Sequence, residues 1–159
     1  MEIFISHKQE DEFSARRIAA VCRNAGVGYY LDVLDDFTFE DAESLTNHIH
    51  EKLNDCTDLM VVMSFKTKYS QWVPFEIGMA AQAYMPTASY LSDDVRLPEF
   101  LEFWPQLKSP EDVIKYINTK RKIFGDSVDV RGAVTESWEI PSRMNKLSKF
   151  YMELKQSLR

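Results

Sequence analysis

Between an apolar strand and an apolar helix the chain reads Ser64-Phe-Lys-Thr-Lys-Tyr-Ser70-Gln-Trp72-Val-Pro-Phe-Glu76-Ile-Gly-Met-Ala80, with a single carboxylate in it. Glu76 is the only charge between Lys68 and Asp93, and Trp72 stands four residues before it, one turn away if the helix reaches that far. A glutamate so placed has two readings. It is a helix-start residue satisfied by backbone N–H groups and the helix dipole, or it serves chemistry that needs a carboxylate in a dry place.

Other chemistry-bearing residues are easier to assign. His48 and His50 stand two apart on a helical stretch, on different faces, and no metal site is expected from them. His7, at the end of a short strand, reads equally as an exposed strand end or a ligand contact. The acidic run from Asp32 to Asp41 reads as a solvated loop rather than a metal site, and the charges from Lys115 to Lys122 as a solvated helix face. Cys22 and Cys56 fall on or beside apolar helix faces and read as reduced core thiols.

The elements that must hold these residues alternate. Glu2–Ser6 is a β-rich run; Asp11–Ala25 follows as an amphipathic helix with Ala15, Ile18, Ala19, Cys22 and Ala25 on one face and Gly26 as its stop. A second strand covers Val27–Asp32, and Glu43–Cys56 places Leu45, Ile49 and Leu53 on one helical stripe. Leu59-Met-Val-Val-Met-Ser64 has five apolar residues in a row, as a parallel strand buried on both faces requires, and Val73–Tyr84 is its helix. Thr87–Ser92 gives a further short strand, while Pro98–Leu107 is ambiguous. Ser109 as N-cap and Pro110 at the first helical position start a helix running to about Lys122. Gly125–Ile140 reads as an irregular connection, and Pro141–Arg159 as an amphipathic helix with Met144, Leu147, Phe150, Tyr151, Leu154 and Leu158 on its apolar face.

Repeated βα units predict a doubly wound α/β fold with a parallel sheet. Ligands of such sheets bind beyond the carboxyl ends of the strands, where Ser6-His7-Lys8, Asp32–Asp41 and Ser64–Glu76 all fall. A phosphate-cradling loop of the glycine-rich kind is excluded, since Ser6-His-Lys-Gln-Glu-Asp11 contains no glycine. With 159 residues, 45% apolar, the chain fits one globular domain. A formal charge of −6 offers little to a nucleic-acid backbone, and no apolar run is long enough to cross a bilayer, so neither nucleic acid nor membrane is an expected partner and a cytoplasmic location is.

Ile3-Phe-Ile-Ser-His7, Tyr30-Leu-Asp32, Cys56 before Leu59–Ser64, and Ser70-Gln-Trp-Val-Pro-Phe-Glu76, in this order and spacing, resemble a bacterial TIR domain. The resemblance spans about residues 1–122. It implies a five-stranded flavodoxin-like parallel sheet over residues 1–124, to which 125–159 add a loop and an extra C-terminal helix. It further implies that Glu76 is the catalytic residue of an NAD+-cleaving enzyme, the spacing from Trp72 to Glu76 being the bacterial form of that signature. Ile5, Ser6 and His7 would line the nicotinamide side, and Trp72 would supply apolar packing. An acidic residue would contact ribose, Asp32 by one alignment and Asp35 by the other. NAD+ would be substrate, with no separate cofactor. Lone bacterial TIR proteins of this size resemble signal-generating subunits of Thoeris-type anti-phage systems, which implies self-association and a separate effector that senses the nucleotide product. The chemistry is consistent with one carboxylate: nicotinamide leaves as a neutral group from a cation, so no general acid is needed, and the oxocarbenium-like transition state needs a nearby negative charge. Hydrolysis and cyclisation both remain open, as does a non-catalytic TIR adaptor that works by association alone.

Overall fold

The computed structural model describes residues 1–33, 41–70, 72–125 and 140–159. Five strands form one all-parallel sheet: β1 (Glu2–His7), β2 (Gly28–Val33), β3 (Asp58–Met63), β4 (Thr87–Leu91) and β5 (Gln106–Leu107), in the order β2-β1-β3-β4-β5. Helices α1 (Glu12–Asn24), α2 (Ala42–Asn54), α3 (Trp72–Gln82) and α4 (Pro110–Phe124) flank it, and α5 (Ile140–Ser157) follows. The expected doubly wound class, the five-stranded sheet and the extra C-terminal helix are all present. The ambiguous stretch before α4 resolves into a 3-10 turn at Glu99–Phe103 and the two-residue edge strand β5.

Alternation along the strands builds two cores. In β1, Ile3 and Ile5 point to one face and Phe4 to the other; in β3, Met60 and Val62 oppose Leu59, Val61 and Met63. The first face is covered by α1, α4 and α5 through Ile18, Tyr116, Ile117, Phe150 and Leu154. Covering the second are Leu53 of α2 and Val73, Ile77 and Ala80 of α3. All six residues of β3 are buried, as its unbroken apolar run requires. Gly26, at φ +65°, ends the α1 turn in the left-handed region, where a side chain would be strained.

Two expectations need correction. Lys120 does not lie on a solvated helix face: it is buried, and its Nζ donates to both oxygens of Asp58 at 2.8 Å. On α5 Phe150, Tyr151 and Leu154 are buried and Leu147 and Leu158 pack partly against the same core, whereas Met144 is 47% exposed. Cys22 and Cys56 are buried free thiols, and burial pushes both up to about 12.

Candidate active site

The strand order reverses at β1, which has β2 on one side and β3 on the other, and the carboxyl ends there, where the connections into α1 and α3 part, are the edge at which sheets of this kind hold ligands. Parallel register sets Ser6 of β1 opposite Asp32 of β2. By alternation both side chains lie on the Phe4/Tyr30 face, the one that α2 and α3 cover. Glu76 arrives from α3, between Val73 and Ile77, and interrupts that helix's apolar stripe.

Glu76 is therefore not a helix-start carboxylate. Lying in the second turn of α3, it is 0% exposed, and its Oε2 accepts a 2.6 Å hydrogen bond from Ser6 Oγ. Its Oε1 is buried with no hydrogen-bond partner. Such a group costs stability when charged. Burial, opposed by the Ser6 hydroxyl and reinforced by the Asp32 charge, pushes the Glu76 carboxyl up to about 8. Without substrate the fold thus favours the neutral acid at neutral pH.

Asp32 is itself buried, at 6% exposure, which corrects its expected place in a solvated acidic loop. Desolvation holds its carboxyl above the usual range, against the lowering influence of His48, whose Nε2 lies 3.5 Å from Asp32 Oδ1. His7 is buried rather than exposed: Nδ1 sits 3.4 Å from the Ile5 carbonyl, Nε2 has no partner, and desolvation pulls its pKa down. Among the described residues two buried side-chain polar atoms stand unsatisfied, Glu76 Oε1 and His7 Nε2, and both belong to residues singled out from sequence.

Ile5 is buried on the opposite face, in the α1 core, one residue before Ser6. Trp72 opens α3, packs partly against the second core and meets the Phe75 ring edge-on at 5.9 Å. Asp35 lies outside the described residues. Asp41 caps α2, accepting a 2.7 Å bond from the Ser44 N–H, so it is engaged in helix architecture.

Two contributors escaped the sequence reading. His48 reaches Asp32 from α2, while His50, two residues on, is exposed to solvent. Asp11, before α1, accepts hydrogen bonds from Ser64 Oγ at 2.8 Å and from Thr67 Oγ1, and so ties the β3–α3 connection to the start of α1. Asp11 stands at the N-cap position of α1 without capping it, its carboxylate being turned to Ser64 and Thr67 instead. Among the described residues no group of three His, Cys, Asp or Glu is placed to hold a metal, and no helix is long and apolar enough to cross a membrane.

Comparison with known proteins agrees with this architecture. The profile of a family described as TIR domain matches residues 3–124. No curated protein matches the chain. Among solved structures, a 2-deoxyribosyltransferase from the psychrotolerant bacterium Bacillus psychrosaccharolyticus superposes with a TM-score of 0.57 at 12% identity, over 71% of this chain and 90% of that one, a likeness of fold.

Proposed function

The chain belongs to the TIR-domain family, and from that premise we propose that it is an NAD+-consuming enzyme that breaks the nicotinamide–ribose bond with Glu76 as catalytic residue. The observation that carries this reading is the state of Glu76: a carboxyl sealed in an apolar helix face, held through one oxygen by Ser6 and unpaired at the other. A structural role would have given the second oxygen a partner. Chemistry at a developing cation gives it one only when substrate is present.

The geometry suggests how. Nicotinamide carries a positive charge in NAD+, and a cation brought against Glu76 favours its ionised form, so binding would draw the proton off a group that burial had kept neutral. The carboxylate would then face the ribose as positive charge builds at its anomeric carbon, with the Ser6 hydroxyl fixing its orientation. Asp32 would accept from ribose hydroxyls, His7 Nε2 would meet the nicotinamide side, and Trp72 would supply an apolar wall. Whether water or another atom of the same ADP-ribose attacks depends on how well the closed site excludes water. A cyclic product would serve as a signal for a separate effector, in an anti-phage setting such as Thoeris, and association between TIR surfaces would complete the unit.

A non-catalytic adaptor is the second reading, and the exposed Phe65 and Tyr69 beside the site favour it as association surface. It leaves the dry carboxyl unexplained. The deciding experiment incubates purified protein with NAD+ beside Glu76→Gln and resolves products by chromatography and mass spectrometry. Nicotinamide release with either ADP-ribose or a cyclic isomer lighter by one water, lost in the variant, is the expected result. Equal activity in the variant rules Glu76 out as catalyst.

A further inference from the structure

Helix α2 packs its stripe of Leu45, Ile49 and Leu53 inward, and at the edge of that stripe, one residue before Ile49, it carries His48. The imidazole faces two side chains of β2 that lie on one face because they are two residues apart: Tyr30 and Asp32. Tyr30 Oη is 3.2 Å from His48 Nε2, and the rings approach with centroids 6.4 Å apart. Asp32 Oδ1 is 3.5 Å from the same nitrogen. Tyr30 is in turn fixed from below by Phe4, whose ring centroid is 5.6 Å away. The histidine is thus seated on a rigid strand and addressed to a carboxylate that has only 6% of its surface in water.

We propose that His48 is a positioning residue for the Asp32 carboxylate, holding it aimed along the carboxyl edge for the ribose hydroxyls of the substrate. The assignment to ribose rests on the reading of this site as NAD+-cleaving; the pairing itself rests on the geometry alone. A buried carboxylate needs a polar partner to hold its orientation, since desolvation works against its charged form. The imidazole of His48 supplies that partner, its Nε2 lying beside Oδ1 of Asp32 and within 3.2 Å of Tyr30 Oη.

Charged and titratable groups face this pair from every packed element. Tyr30 stands on β2 itself, His7 approaches from β1 and Glu76 from α3, while on α2 the Lys52 ammonium lies 5.6 Å from the Tyr30 ring centroid. Lys52 sits over the ring and does not reach the carboxylate in an ion pair, and His7 is held to the Ile5 carbonyl. Among the described residues, His48 is the side chain of α2 placed against the Asp32 carboxylate, with Nε2 3.5 Å from Oδ1.

Two measurements test this. First, the His48 imidazole is titrated by NMR across roughly pH 5 to 9, its resonance identified by its loss in His48→Gln, in the wild-type chain and in Asp32→Asn. The midpoint should fall by about half a unit or more once the carboxylate is neutralised; an unmoved midpoint overturns the proposal, whether or not the protein cleaves NAD+. Second, steady-state kinetics compare His48→Ala and His48→Gln. His48→Ala should raise KM for NAD+ on the order of tenfold with kcat within about threefold, and His48→Gln, which keeps an N–H donor, should recover most of the loss. A KM unchanged in His48→Ala also overturns the proposal, even if that variant is less stable. If the wild-type chain leaves NAD+ intact, the enzymatic reading falls, and the titration alone decides the pairing.

Discussion

Among the described residues two carboxylates are fully excluded from water, and they stand at opposite ends of the sheet. Asp58 opens β3 at the amino-terminal edge; Glu76 packs from α3 at the carboxyl edge. Asp58 receives Thr57 Oγ1 at 2.6 Å, Tyr116 Oη at 2.8 Å and Lys120 Nζ on both oxygens at 2.8 Å. Glu76 receives Ser6 and leaves its other oxygen empty-handed. Burial is equal, so burial does not distinguish function. What differs is satisfaction: the first carboxylate is complete within the chain, and the second is complete only with something added.

The comparison is broken or sharpened most strongly by neutralising each site in turn. Glu76→Gln should lower the rate of nicotinamide release by at least 10²- to 10³-fold, the scale for removing a positioned electrostatic group, while circular dichroism stays native. At the other pole, Lys120→Met should leave turnover chemistry intact per folded molecule but cost about 3–5 kcal/mol of stability in urea melts, because it strands the Asp58 charge in the interior. If the two variants exchanged these phenotypes, the functional assignment of the edges would be reversed.

Smaller effects follow from proton linkage. The folded Glu76 pKa, about 8, exceeds its ordinary value of 4.5, so the native state binds the extra proton. Its stabilising contribution is complete below about 4.5 and is lost as pH rises through about 8. Glu76→Gln removes that slope. Relative to wild type, the variant should therefore gain stability between pH 5 and 8, on the order of 3 kcal/mol, read from denaturation midpoints at each pH. Smallest is Ser6→Ala: the hydroxyl lowers the Glu76 pKa, so its loss should move the acid limb of kcat/KM to higher pH and reduce the plateau about fivefold.

How far the sequence discloses these sites depends on the range of the interaction. Strand and helix alternation is written locally, and the parallel sheet follows from it with little freedom. Glu76 is visible because a charge interrupts an apolar stripe four residues wide of Trp72. Lys120 is misread because the helix pattern around it is amphipathic and charged, and its partner is 62 residues away. Asp32 has the same difficulty: in the chain it begins an acidic run, while in the fold its neighbours are Ser6, His7 and His48, brought in by register and by α2. Asp11 and Ser64 meet across 53 positions. Long-range polar pairs have no period and leave no local trace, so the half of the site made of them had to come from the structure.

Kinship and cohesion draw different boundaries on this chain. The segment that matches other TIR domains stops at residue 124, but the first core does not. Phe150 of α5 is 0% exposed, with its ring edge-on to Tyr116 at 5.1 Å and near Phe124 at 6.0 Å, and Tyr151 Oη accepts the Thr87 N–H at 3.0 Å where β4 begins. Trimmed to residues 1–125, the protein should bare an aromatic-lined wall and leave that amide unpaired. Loss of a cooperative thermal transition, or aggregation on purification, is the expected outcome. The inherited part is thus shorter than the part that can stand alone.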